Sequence, residues 1–221
     1  MLNNSIIDNT QMVLKKIGIS LRITNAINYD EPRDSISHDW PQFLVDLGFY
    51  PVLIPNKLSD LESFLDSSQL DGIILSGGDN LGDTPLRDKT EKEIIDYSID
   101  KQIPIFGVCR GMQLLNNYFG GNITNSTSEE HVNKPHKVAI TSPKLTELLG
   151  NQITVNSFHQ NLITESNLGE NLEILAKVDS DNTVEAFLHK QHMIMGVMWH
   201  PERTPDENNR LILNTFFTSN N

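Results

Sequence analysis

The chain reads as an α/β protein built on a mostly parallel central sheet, with antiparallel strands added in its second half. Three observations predict this. Up to Gly121, short apolar runs alternate with segments of helical spacing, the pattern of parallel strands joined by crossover helices. Beyond Gly150 the apolar runs QITV, NLEILAKV, NTVEAFLHK and HMIMGVM follow one another with few helical stretches between them. The single cysteine, Cys109, stands where one apolar run turns directly into a helix. In such sheets the working groups gather at the carboxyl ends of the strands.

Residues 1–14 are polar and aperiodic, and are expected to extend a single domain over 15–221; the length does not force a second domain. KIGIS, Lys16 to Ser20, is the first strand, and its sequel LRITNAINYDEPRDSIS is polar and loop-like. Trp40, Phe43, Leu44 and Leu47 fall on one side of a short helix that Gly48 stops. YPVLIP is the second strand. Leu58, Leu61 and Leu65 space the next helix, and DGIILSGGDN gives a third strand running into a glycine turn. From Arg87 to Lys101 the spacing predicts an amphipathic helix with Ile94, Ile95 and Ile99 inward and the run DKTEKE outward. IFGV is the fourth strand, and Gly120 and Gly121 close the helix that follows it. NITNSTSEEHVNKPHKVAI is a polar excursion ending in a strand, Leu145 to Leu149 form a helical turn, and Leu211 to Phe217 close the chain as a helix.

Composition narrows the partners. With 17 basic and 29 acidic side chains the formal charge is −12, and no lysine or arginine run interrupts the acidity. Nucleic acid and anionic membrane surfaces both need a basic footprint, so neither is expected as a partner. One cysteine cannot form an internal disulfide, which fits a reducing compartment. The first twelve residues lack the basic and apolar regions of a signal peptide, and no apolar run reaches the ~20 residues of a membrane helix. A soluble, cytoplasmic protein is expected, with a homodimer compatible with this composition.

A lone cysteine is most often a small buried hydrophobe. Here Gly107 and Gly111 flank Cys109 two residues to either side, as a tight strand-to-helix elbow requires. The first free amides of the helix favour a thiolate at that place, and the reading of a nucleophile prevails. A thiolate nucleophile needs a base and a group to orient it. His200 stands just past the end of the strand MIMGVM, and Glu202, two residues on across a proline, can turn back onto the ring. His189 and His192 flank a turn where exposure is expected. His131 and His136, near Glu129 and Glu130, match no zinc spacing, so no metal is expected. His38 and His159 sit in loops. Oxyanion donors are available from the backbone of Arg110, next to the nucleophile, and from Gly77 and Gly78, whose SGG turn also reads as a plain glycine turn.

Taken together, the SGG turn, GVCRGMQ, NSFHQ and WHPE resemble the class I glutamine amidotransferase superfamily over roughly Ile17 to Phe217, with nucleophile, histidine and glutamate in that chain order. An α/β-hydrolase with cysteine at its elbow is disfavoured, because its triad runs nucleophile, acid, histidine. The resemblance implies a flavodoxin-like three-layer sandwich and the branch of free-standing γ-glutamyl hydrolases. It implies Cys109 as nucleophile, His200 as general base then acid, Glu202 as orienting partner, and Gly77 or Gly78 with Arg110 as oxyanion donors. By the same resemblance Gln113 holds the glutamyl group, and Asn156, Ser157, Phe158, His159 and Gln160 help bind its α-amino and carboxylate ends. The phrases EHVN, VNSFH, NLEILAK, EAFLHK and GVMWHPER are similar to hydrolases of γ-glutamyl-CDP-amidate in capsule phosphoramidate synthesis. The implied substrate is a small γ-glutamyl compound, plain or nucleotide-linked, with no cofactor. Arg22, Arg110, Lys134 and Arg203 are the cations available to an anionic leaving group. A glutaminase subunit passing ammonia to a partner and a silent binding module are the competing readings.

Overall fold

A computed structural model describes residues 14–125 and 133–219. The expected extension at 1–14 lies almost wholly outside them. In chain order the strands and helices are β1 (Lys16–Ser20), β2 (Arg22–Asn25), β3 (Pro32–Ser35), α1 (Asp39–Asp46), β4 (Tyr50–Ile54), α2 (Leu61–Ser68), β5 (Gly72–Leu75), α3 (Pro85–Lys101), β6 (Ile105–Val108), α4 (Arg110–Tyr118), β7 (Thr124–Asn125), β8 (His136–Ile140), α5 (Pro143–Leu149), β9 (Gln152–Val155), β10 (Asn161–Leu162), β11 (Leu172–Lys177), β12 (Val184–His189), β13 (Ile194–Val197) and α6 (Glu207–Thr218).

Nine of these strands form one mixed sheet in the order β4-β1-β5-β6-β13-β12-β11-β8-β9. The first five run parallel and the remaining four add antiparallel partners. The parallel part has the 2-1-3-4-5 order of doubly wound sheets, with the switch in direction between β1 and β5. The carboxyl ends of β1, β5, β6 and β13 therefore lie side by side, bringing Ser20, Ser76, Cys109 and His200 to one edge.

Alternation along the strands divides the core between two faces. Ile17, Ile19, Ile74, Phe106 and Val108 pack with Trp40 and Phe43 of α1 and with Ile212, Leu213, Phe216 and Phe217 of α6. Ile73, Leu75 and Ile105 face the other way, onto Leu65, Ile94, Ile95, Met112 and Leu115 of α2, α3 and α4. These two faces with the sheet between them make the three-layer sandwich.

Three local expectations need correction. The stretch read as a loop after β1 contains the β2–β3 hairpin, paired from Arg22↔Ser35 to Asn25↔Pro32. It forms a sheet of its own with no buried residue, so no apolar alternation marks it. The helix expected from Leu58 begins at Leu61, because Asp60 caps it by accepting from the Ser63 amide. In α3, Ile94 and Ile95 are buried as expected, but so are Thr90 and Glu91 from the run assigned to solvent, together with Arg87. Their partners come from distant parts of the chain, which helical periodicity does not register.

Close approach of α4 to β5 sets the depth of the cysteine turn. A Cβ at Gly111 would stand 2.1 Å from the Leu75 carbonyl oxygen, which belongs to rigid strand backbone. Gly111→Ala is expected to cost at least about 2 kcal/mol by overpacking. Thermal denaturation should show a midpoint lower by about 5 °C or more; an unchanged midpoint would mean that α4 stands off the sheet.

Candidate active site

Strand β6 ends at Val108, and the next residue turns the chain. Cys109 has φ 50° and ψ −102°, a left-handed conformation that a non-glycine residue adopts at a cost of about 1–3 kcal/mol. Two backbone bonds hold it: its amide donates to Val197 O at 2.8 Å, and its carbonyl accepts from the Gln113 amide at 3.0 Å. The amides of Gly77, Gly78 and Arg110 form no backbone hydrogen bond among the described residues; Arg110 follows this turn directly and Gly77 lies against it.

The imidazole arrives from β13. Trp199 is buried beneath it and donates Nε1–H to Asn209 Oδ1 at 2.8 Å, while Asn209 Nδ2 donates to Thr204 O at 2.7 Å. His200 itself is gripped by Asn156, whose Oδ1 accepts from the His200 amide at 2.9 Å and whose Nδ2 donates to the His200 carbonyl at 2.7 Å. Glu202 turns back on the ring, with Oε1 2.8 Å from Nδ1. With Nδ1 given to the carboxylate, Nε2 is left for a further partner, and the side chain of Cys109 is near enough to favour the protonated ring. Gly77 makes room for this meeting: a Cβ there would lie 2.7 Å from His200 Cε1 and 3.6 Å from Cys109 Cβ.

Burial of the ring disfavours its charged form. The hydrogen bonds and negative charges of Cys109 and Glu202 outweigh that and hold the His200 pKa at about 9. At neutral pH the ring is an imidazolium, and a cation beside the sulfur stabilises negative charge on it. The residues Cys109 and His200 are only 7% and 3% exposed. The sulfur is thus more enclosed than the elbow spacing suggests. Phe158, 39% exposed, presents its ring edge-on to the imidazole at 5.8 Å and carries the Arg203 guanidinium over its face at 4.4 Å.

Several expected contacts look different in three dimensions. Asn156 spends its amide on the backbone of His200, and its Nδ2 also donates to Thr204 Oγ1 at 3.0 Å, so it orients the imidazole and has no N–H to spare for a carboxylate group. Gln113 is buried, with Nε2 donating only to the Met198 thioether at 3.6 Å, a weak acceptor. Ser157 is buried. His159 is buried too, its Nδ1 3.1 Å from Asn161 O. Arg110, counted among cations for an anionic ligand, is buried and paired with Glu91 and Asp88, which removes it from that group. Arg22 donates Nε–H to Gly77 O at 3.2 Å and remains at the rim with Arg203. His189, expected at the surface, is buried, and its Nδ1 accepts from the amides of Gln191 and His192. His131, Glu129 and Glu130 lie outside the described residues, and among those described no group of His, Cys, Asp or Glu side chains is arranged to hold a metal.

One charged residue at this edge has no motif to announce it. Glu185 of β12 is fully buried, and its carbonyl accepts from the Met198 amide at 2.8 Å, two residues before His200. Burial pushes its carboxyl up. The rings of His136 and His159, 3.4 and 3.6 Å away, prevail and bring it down to about 2. A carboxylate inside a run of strand hydrophobics, VEAF, is the one sequence signal that could have found it.

The Peptidase C26 family model matches residues 17–202. The chain is 34% identical over 209 residues to the γ-glutamyl-CDP-amidate hydrolase of Campylobacter jejuni subsp. jejuni, covering 91% of this chain and 97% of that one. It is 30% identical over 166 residues to a subunit of the glutamine-hydrolysing GMP synthase of Methanococcus vannielii, covering 75% and 82%. Among solved structures it is similar to a candidate GMP synthase subunit from Thermoplasma acidophilum, with TM-score 0.70 and 26% identity over 92% of both chains.

Because Cys109 and Glu202 both raise the His200 pKa, removing the carboxylate must lower it. In Glu202→Gln the ring is expected to titrate about 1–3 units below the native value. Nitrogen-15 spectra of the imidazole across pH 5–10 check this, and a value that stayed near 9 would show that Glu202 does not govern the ring.

Proposed function

The chain belongs to the Peptidase C26 family of class I glutamine amidotransferase-like proteins, and from that premise we propose that this hydrolase is a cysteine-dependent γ-glutamyl hydrolase. The observation that carries the reading is the meeting of Cys109, His200 and Glu202 over Gly77 at the carboxyl edge of the sheet. Cys109 attacks the γ-carbonyl of a glutamyl amide, and the charge that develops on oxygen is taken by the amides of Arg110 and of Gly77 or Gly78. The imidazolium of His200 protonates the departing amine as the C–N bond breaks. Once the sulfur is acylated its negative charge is gone, one cause of the raised pKa disappears, and the ring can accept a proton from water. Water then attacks the thioester and glutamate leaves. Glu202 keeps Nδ1 occupied throughout, while Gln113 and the segment around Ser157 and His159 bound the glutamyl side.

For the substrate, γ-glutamyl-CDP-amidate is favoured, with cytidine diphosphoramidate as the leaving amine. The similarity to the Campylobacter enzyme supports it, as do Arg22 and Arg203, which flank Gly77 and Glu202 at a small opening also lined by Trp40, Ile36 and Ser37. Guanidinium groups suit phosphate oxygens. The similarity to a GMP synthase subunit supports a second reading, a glutaminase that delivers ammonia to a partner synthase.

Purified protein incubated with glutamine, γ-glutamyl-γ-aminobutyrate and γ-glutamyl-CDP-amidate should release glutamate fastest from the last, and Cys109→Ala should release none. Arg203→Ala is expected to raise KM for the phosphate-bearing substrate roughly tenfold, the loss of one charge-assisted contact. An active Cys109→Ala variant would end the thiol mechanism. Preference for plain glutamine, increased by a partner synthase, would establish the second reading.

A further inference from the structure

Beneath the two backbone segments that would supply the oxyanion donors runs a buried ionic chain. Arg87, Glu91 and Arg110 are at most 1% exposed. Glu91 is its centre. Its Oε1 accepts from Arg87 Nε at 2.9 Å and from Ser20 Oγ at 2.7 Å, and its Oε2 accepts from Arg110 Nη1, while Asp88 takes Arg110 Nη2.

From these side chains the bonds continue to backbone. Arg87 Nη2 donates to the carbonyls of Ser76 at 2.8 Å and Gly77 at 3.2 Å. Ser20 Oγ accepts from the Ser76 amide at 3.0 Å, and Ser76 Oγ donates to the Ser20 carbonyl at 2.7 Å. A peptide unit is planar and trans, so fixing its carbonyl fixes the N–H on its other side. The carbonyl of Ser76 shares a unit with the Gly77 amide, and that of Gly77 with the Gly78 amide. Arg87 therefore aims the Gly77 amide away from itself, and shares the aiming of the Gly78 amide with Arg22, whose Nε also donates to the Gly77 carbonyl at 3.2 Å. At the other end Arg110 is the residue whose amide follows Cys109, and its side chain is anchored on the same Glu91.

Stability alone is a poor reason for such a chain. Desolvating each ion costs several kcal/mol, and apolar residues of similar volume commonly hold a core as well or better. What apolar side chains cannot do is bond to the Ser76 and Gly77 carbonyls. We infer that Arg87, Glu91 and Arg110 are positioning residues that set the Gly77–Gly78 turn and the Cys109–Arg110 elbow in one geometry, with Glu91 coupling the two. The inference rests on the reading of Cys109 as an acyl-accepting nucleophile.

Two reagents separate donor geometry from everything else. p-Nitrophenyl acetate acylates the sulfur by expelling p-nitrophenolate through a tetrahedral oxyanion, and needs no glutamyl recognition. Iodoacetamide alkylates the same sulfur by expelling iodide and forms no oxyanion. In the full chain, Glu91→Gln is expected to slow acylation of Cys109 about 100-fold, leave alkylation within about twofold, and lower kcat for glutamate release with little change in KM. Since Glu91→Gln strands two buried guanidiniums and can cost the fold, Arg87→Lys provides the second arm. It keeps the charge against Glu91 but loses the fork onto the two carbonyls, and acylation should fall about tenfold with alkylation again unchanged. The inference is overturned if acylation is unchanged in a folded variant, if both rates fall together, if neither variant folds, or if native protein favours acylation over alkylation no more than N-acetylcysteine does. A native protein that shows this preference but releases glutamate from no γ-glutamyl compound would refute the substrate reading and leave the positioning role standing.

Discussion

The left-handed backbone at Cys109 is the constraint on which the rest of the site depends. A helix can start directly at the end of β6 only if one residue reverses the chain, and that residue bears the sulfur. The reversal brings α4 so close to β5 that Gly111 admits no side chain, and it ties the Cys109 amide to Val197 of β13. The strand that carries His200 is thereby registered against the turn that carries the thiol. Strain of about 1–3 kcal/mol at one residue is sustained because the bonds on both sides over-determine it.

Charge is distributed within this acidic protein in a way that its net value of −12 conceals. At the working edge the same burial acts on two ionisable groups with opposite outcomes. His200 is pushed up to about 9 because its neighbours are an anionic carboxylate and a thiol, and Glu185 is drawn down to about 2 because its neighbours are imidazoles. Both end up in their charged form at neutral pH. The dielectric surroundings alone would have neutralised each of them. Local partners rather than overall composition decide protonation here.

What could be read in the sequence was what depends on near neighbours in the chain. The alternation of β1, β4, β5 and β6 with helices, the glycine-flanked Cys109, and a proline-separated His200 and Glu202 are all short-range patterns, and they carried both the sheet and the family. The β2–β3 hairpin escaped because it buries nothing and so leaves no period to detect. Glu91 looked like solvent-facing charge because, Arg87 on the same helix apart, its partners Arg110 and Ser20 lie 19 and 71 positions away. Asn156 was legible as part of a polar segment, but its partner is the His200 backbone 44 positions on, and backbone acceptors leave no mark in a side-chain pattern. His189 was misplaced although its partners are near in the chain: the donors that satisfy its ring are backbone amides two and three positions on, which a side-chain pattern does not show either.

The two sides of the site differ in kind, and the difference bears on specificity. On the side proposed for the glutamyl group stand Gln113, Ser157 and His159, all buried, with Gln113 reaching the Met198 thioether just past β13 and His159 lying 3.6 Å from Glu185 of β12. Rotating any of them would disturb the sheet, so this side suits an unvarying part of a substrate. On the side proposed to face the leaving group are Arg22, the first residue of a hairpin outside the main sheet, and Arg203, resting on the half-open ring of Phe158. Arg203 can be exchanged at little cost to the core, since surface substitutions away from buried networks change stability by about 0.5 kcal/mol or less, whereas Arg22 also holds the Gly77 carbonyl. On the proposed reading, a fold of this construction holds one acyl group fixed while its amine partner is altered, so similarity across the sheet bears on membership of a hydrolase family more than on the amine released.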